Sequence, residues 1–188
     1  MNYKKIYDLF LENKQNSRLY QSNINGSFKN YSMFESQENS NYNSYKEVLW
    51  KDLKKVIQDS EIDLKIKILD PENVMLGNSN NPSTLGYIIK NSRVKLDFSP
   101  SDFSDSQFTS EIINMFSGCK NLVKICKLPA SITETYCMFN CCHSLVSVDT
   151  SNFTNVTEAN GMFANCTSLV SVDTSNFTNV TKADSMFD

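Results

Sequence analysis

The sequence of 188 residues predicts an α+β N-terminal cap followed by a short α/β solenoid with parallel strands and three to four coils. Two observations carry this reading. Ser144 to Thr157 recurs without a change at Ser168 to Thr181, and Met-Phe pairs stand at 115, 138, 162 and 186, at steps of 23, 24 and 24 residues. A third gives the repeat its type. Leu145, Val148 and Thr150 fit the L-x-x-L-x-L pattern of a leucine-rich repeat, which turns Val148 and Thr150 inward and Ser147, Asp149 and Ser151 to solvent. Leu169, Val172 and Thr174 repeat the inward set, with Ser171, Asp173 and Ser175 outside.

Taken in chain order, Asn2 to Leu11 reads as a helix with Ile6 and Phe10 on one face. Residues 21–45 hold twelve Asn or Ser and read as a polar loop. Ser44-Tyr-Lys-Glu47 is a capping box before a helix whose apolar face holds Leu49, Leu53, Val56 and Ile57, with Trp50 packing beside it. Ile62, Leu64, Ile66 and Ile68 alternate with charged residues as a strand, ended by Asp70-Pro71. Tyr87 to Lys90 also reads as extended. These elements make residues 1–93 the α+β cap, and the repeats occupy 94–188.

Within the repeats, Val94 to Ser99 is a strand leading through Phe108 and Ile112 to Met115-Phe116 as an irregular first coil. Leu122 to Pro129 is the next strand, with Lys124, Cys126 and Leu128 at the outward positions. The return segments are expected to be helical, since Val156, Ala159 and Phe163 follow at i, i+3 and i+7, and Val180, Ala183 and Phe187 repeat that spacing. The sequence stops partway through a unit at Phe187-Asp188. The expectation is an uncapped last coil showing Leu169, Val172, Phe177 and Val180, covered by further repeats or by self-association.

Composition narrows function. A net charge of −3 and an isoelectric point near 5.2 offer no basic surface for nucleic acid. No apolar run approaches the ~18 residues of a membrane span, and no secretory leader is visible, which by itself points to the cytoplasm. The cysteines invite a metal. However, Cys119, Cys142 and Cys166 fall at the repeat spacing, which stacking of a buried column explains. Cys137-x-x-x-Cys141-Cys142-His143 lacks the two converging pairs of a structural zinc site, and nothing orients His143 beside a nucleophile. No cofactor, metal site or catalytic residue is therefore expected.

Asp149 and Asp173 would lie about 5 Å apart across the ladder, a separation found in retaining glycosidases. Identical exposed positions cannot split two carboxyl pKa values into acid and base, so a solvated recognition face is the better reading. Ser147, Asp149, Ser151, Ser171, Asp173 and Ser175 are its candidate partner-binding residues. Seven Asn-x-Ser/Thr triplets occur, four of them supplied by the duplication, so they do not indicate glycosylation.

The unit Met138, Phe139, Cys142, Leu145, Val148, Asp149, Ser151, Asn152, Phe153, Asn155, Val156 and Thr157, with its second copy, resembles the BspA-like leucine-rich repeats of bacterial surface proteins. That resemblance covers residues 94–188. It implies a displayed or secreted protein that binds host or neighbouring-cell proteins. The expected function is a non-catalytic protein-protein interaction module working through the strand face. The competing readings are an enzyme or effector with its site in residues 1–93, the repeats serving as a targeting arm, and a truncated relative without independent function. No phosphate loop, nucleophile elbow or paired-His motif supports the enzyme.

Overall fold

Five short strands lie side by side, all parallel, in one sheet. The computed structural model describes residues 45–110 and 112–188. The expected helix at 2–11 and nearly all of the Asn/Ser-rich stretch lie outside the described residues. The strands are β1 (Lys46–Val48), β2 (Leu64–Ile68), β4 (Leu96–Phe98), β6 (Leu122–Ile125) and β7 (Ser147–Val148). A separate parallel pair joins β3 (Met75–Leu76) to β5 (Gln107–Phe108). The described residues hold two α-helices, α1 (Trp50–Gln58) and α2 (Leu85–Lys90).

An α+β cap with an α/β solenoid behind it is not the fold that forms. β1 and β2, assigned to the cap, pair directly into the sheet that runs on through β4, β6 and β7. Both helices precede residue 91, and the repeats contain none. The return segments are chains of turns, and their hydrogen bonding gives the reason. Ala159, Gly161 and Phe163 donate their N–H groups to the carbonyls of Lys182, Asp184 and Met186 in the next unit, at 2.8 to 2.9 Å. A helix would need those donors for carbonyls four residues back. Two residues of this segment, Gly161 (φ 60°) and Asn165 (φ 58°), also have left-handed backbone that a right-handed helix cannot contain. The apolar spacing still buries Val156, Ala159, Met162 and Phe163. It does so from turns.

Local expectations fail for similar reasons. The capping box does not open a helix, because Lys46 to Val48 pair with Ile66 to Ile68 as β1. Helix α1 starts at Trp50, whose N–H donates to Asp70 Oδ1 across 20 residues at 2.7 Å. Leu53 and Ile57 face the core, Trp50 and Val56 pack partly against it, and Leu49 stays exposed. Ile62 is 73% exposed and lies before β2, whose inward residues are Ile66 and Ile68. Tyr87 to Lys90 is helical, not extended. Thr84 caps α2 by accepting the Tyr87 N–H, and Leu85 and Ile89, four residues apart, are buried together. Leu128 is buried rather than outward.

The core between sheet and turns is stitched by columns of like residues. Phe116, Phe139, Phe163 and Phe187 stack at centroid distances of 5.4, 5.5 and 5.6 Å, with interplanar angles of 12°, 1° and 8°. Asparagine amides bridge neighbouring units: Asn152 Nδ2 donates to Leu128 O at 2.9 Å, Asn155 to Ala130 at 2.8 Å and Asn179 to Thr154 at 2.7 Å. Among the described residues no buried side-chain nitrogen or oxygen lacks a partner.

Candidate functional site

The outward face of the sheet follows from strand alternation. Ile125 pairs with Val148 in the buried row, while Lys124 pairs with Ser147 in the row facing out. The next unit continues the ladder through the Val170 N–H, which donates to Val146 O at 3.1 Å. Val148, Thr150, Val172 and Thr174 are buried; Ser151, Ser171, Asp173 and Ser175 are exposed. Ser147 and Asp149 are half-buried, so the expectation of a fully exposed Asp149 is corrected. The strands are also shorter than expected. Regular pairing is confined to Ser147–Val148, and residues 169–174 form no assigned strand.

Both aspartates have a local task. Asp149 Oδ1 accepts the Ser151 N–H at 3.0 Å, and Asp173 Oδ1 accepts the Ser175 N–H at 2.8 Å. Each closes an Asx turn that bends the chain out of the strand. The Ser175 backbone and hydroxyl groups hold the Asp173 carboxyl below the usual carboxylate range. The two residues are alike in role and separated by one unit, which suits a recognition surface better than a pair with divided acid and base duties.

The face also extends further than the duplicated sequence indicates. Lys65, Asp97 and Lys124 pair in succession across β2, β4 and β6, and Lys124 then pairs with Ser147. Lys65, Asp97 and Lys124 thus belong to the row that contains Ser147. Lys65 could be placed outward from its alternation with Leu64 and Ile66. Lys124 is outward by the same alternation, but its place beside Asp97 could not be counted along the chain, because a register shift between Leu96 and Asp97 interrupts the pairing of β4 with β6. Cys126, half-buried, has its thiol pushed up by burial and by the charges of Asp149 and Asp97.

The column cysteines behave as hydrogen-bonded core residues. Cys119 Sγ donates to Gly86 O at 3.3 Å, Cys142 to Phe116 O at 3.1 Å and Cys166 to Phe139 O at 3.0 Å. Cys119 and Cys142 are fully buried, whereas Cys166, expected to be buried, is partly exposed. Burial raises all three thiols, Cys166 to about 12. A raised folded-state value means the thiol form supports folding below the ordinary value of 9.0, and this contribution is lost as pH climbs from 9 toward 12. Denaturant midpoints should therefore fall over that range, and Cys166→Ala should fall less steeply than the unmodified chain. Equal slopes would show that Cys166 already ionises freely in the folded chain.

Among the described residues no group of three or more His, Cys, Asp or Glu side chains could hold a metal ion. His143 is exposed while the adjacent Cys142 is buried, so the motif 137–143 does not converge. A cleft of about 680 Å³ between α1 and the ends of β1 and β2 is lined by Lys46, Lys55, Val56, Asp59 and Ile62, among others, and by no cysteine or histidine. No described helix is long and apolar enough to cross a membrane. No family profile matches the chain, and neither a curated protein nor a solved structure matches it.

Proposed function

We propose that this chain is a non-catalytic protein-interaction module whose partner docks on the outward sheet face, around Ser147, Asp149, Ser151, Ser171, Asp173 and Ser175. The observation that supports this most is the division of alternating residues. Valine and threonine are spent on the core, and serine and aspartate recur at 24-residue spacing on the surface. Small hydroxyls and carboxylates at a regular pitch offer donors and acceptors without the side-chain entropy that long residues lose on binding. The resemblance to BspA-like surface repeats supports a protein as the partner, of the host or neighbouring-cell kind.

Because each aspartate oxygen closes a turn, the substitution that isolates recognition is Asp→Asn, which keeps the acceptor and removes the charge. Asp149→Asn and Asp173→Asn should each shift stability by no more than about 0.5 kcal/mol. A photo-crosslinker at Ser171 should trap one discrete partner, and the double substitution should reduce its yield. The same crosslinker at Thr178, exposed outside the strand segment, should trap nothing discrete. Equal capture from both positions would overturn the strand-face assignment.

A further inference from the structure

Several charges on and beside the outward face cancel within the chain. Lys67 Nζ lies 3.3 Å from Glu47 Oε1 and 5.3 Å from the centre of the Tyr45 ring, and Lys127 Nζ lies 3.4 Å from Asp102 Oδ2. The charges left over are divided by position. Lys65 and Lys124 are half-buried and form no ion pair among the described residues. Asp97 stands between them in the row, and its Oδ1 accepts the Ser99 N–H at 2.8 Å. One carboxylate between two ammonium groups leaves this end of the face positive. At the other end Asp149 and Asp173 form no ion pair among the described residues either, and that end is negative.

The rest of the chain reinforces the division. Residues 45–127 hold twelve Lys or Arg and eleven Asp or Glu, a near balance. Residues 128–188 hold six Asp or Glu and a single lysine, Lys182, which is paired with Glu158. A body approaching the duplicated units therefore meets a negative field, and one approaching β2 to β6 does not. With strands about 4.8 Å apart, Lys65 and Lys124 stand about 10 Å apart along one row, and Asp149 and Asp173 about 5 Å apart in the next.

We propose that the partner of this face carries its charges in a fixed order, carboxylates over Lys65 and Lys124 and ammonium or guanidinium groups over Asp149 and Asp173. The order rests on the strand-face docking proposed above and adds the partner's chemistry and its direction, acidic part toward β2 and cationic part toward the last unit. A partner of reversed order would set like charges together at both ends, which opposes encounter and binding. A partner without charge would desolvate all four groups with no compensation.

Two measurements on the full chain test the order. In the first, the isotope-labelled chain is titrated with hexaglutamate and, separately, with hexalysine, and amide shifts are mapped by NMR. Hexaglutamate should move Lys65, Asp97 and Lys124 most, and hexalysine should move Asp149 to Ser151 and Asp173 to Ser175 most. A hexaglutamate map centred on Lys51, Lys54 and Lys55 of α1, or the same map for both peptides, would overturn the order. In the second, capture by the photo-crosslinker at Ser171 is compared with and without Lys65→Glu, Lys124→Glu, and the yield should fall about tenfold. An unchanged or increased yield overturns the order and leaves the strand-face docking standing. No discrete capture at Ser171 in the otherwise unmodified chain overturns the docking, and the order with it. The peptide maps on the unmodified chain decide even if the charge-reversed variant folds poorly.

Discussion

Gly86→Ala should lower the free energy of unfolding by about 3 kcal/mol or more, the upper end of what overpacking costs. A β-carbon at Gly86 would fall 1.9 Å from Met115 O and 3.3 Å from Ser79 Cα, so α2 meets backbone, not a movable side chain. Neither side gives easily. Ser79 N–H is bonded to Asn114 O at 3.2 Å, and Phe116 N–H to Met138 O at 2.8 Å. In an exposed helix interior alanine would gain about 1 kcal/mol over glycine, but here the clash outweighs propensity. Gly118→Ala is the comparison. It meets only the flexible end of Lys90 at 3.3 Å and carries the left-handed penalty of about 1–2 kcal/mol. Urea denaturation followed by circular dichroism should separate the two variants clearly. Equal midpoints would show that α2 slides away from the Met115 carbonyl at little cost.

Phe139→Ala should cost about 3–5 kcal/mol, as expected for a buried aromatic truncated to a methyl group. Phe139 is fully buried between Phe116 and Phe163, with both rings nearly parallel to its own. Phe139→Leu retains most of the volume and loses both stacks, so it should cost about 1–2 kcal/mol. Phe187 has one ring neighbour and is only partly buried, and Phe187→Ala should cost less than Phe139→Ala. Thermal and urea unfolding of the three variants would test the ranking. A Phe139→Ala loss no greater than that of Phe187→Ala would mean the column is filled space without cooperative packing.

The duplicated segment was legible because each unit has the same neighbours. Fourteen unchanged residues must place Val148 and Val172, or Phe153 and Phe177, in equivalent surroundings, and all four are buried. The return segments were misread because period 3.6 is a test for helix only where backbone bonds stay within the segment. Val156, Ala159 and Phe163 satisfy that spacing, yet their backbone donors serve the next unit. The sign that could have corrected this is the column Asn114, Cys137, Gly161, Ser185, which contains two residue types that favour left-handed backbone. Upstream, Lys46 to Val48 were hidden by a capping pattern that lost to pairing with β2, and Tyr87 to Lys90 by too short an apolar run. The candidate face was legible at Ser147 to Ser175. Its continuation through Lys65, Asp97 and Lys124 depends on register between distant strands, which one sequence does not encode locally.

The bonds between units have an implication for how such a gene can change. Val170 to Val146, Thr181 to Thr157 and Asn179 to Thr154 link residues 24 or 25 apart, and Phe163 to Met186 spans 23. Each unit therefore presents its successor with the donors and acceptors that it received from its predecessor. An in-frame duplication of 24 codons, such as slipped recombination between two identical tracts produces, would insert a segment that meets familiar partners on both sides. Deletion of one unit would rejoin equivalent surfaces. Selection on length can then act on the size of the outward face without first repairing the interior, and the unchanged tract at 144–157 and 168–181 has the form that such a duplication produces.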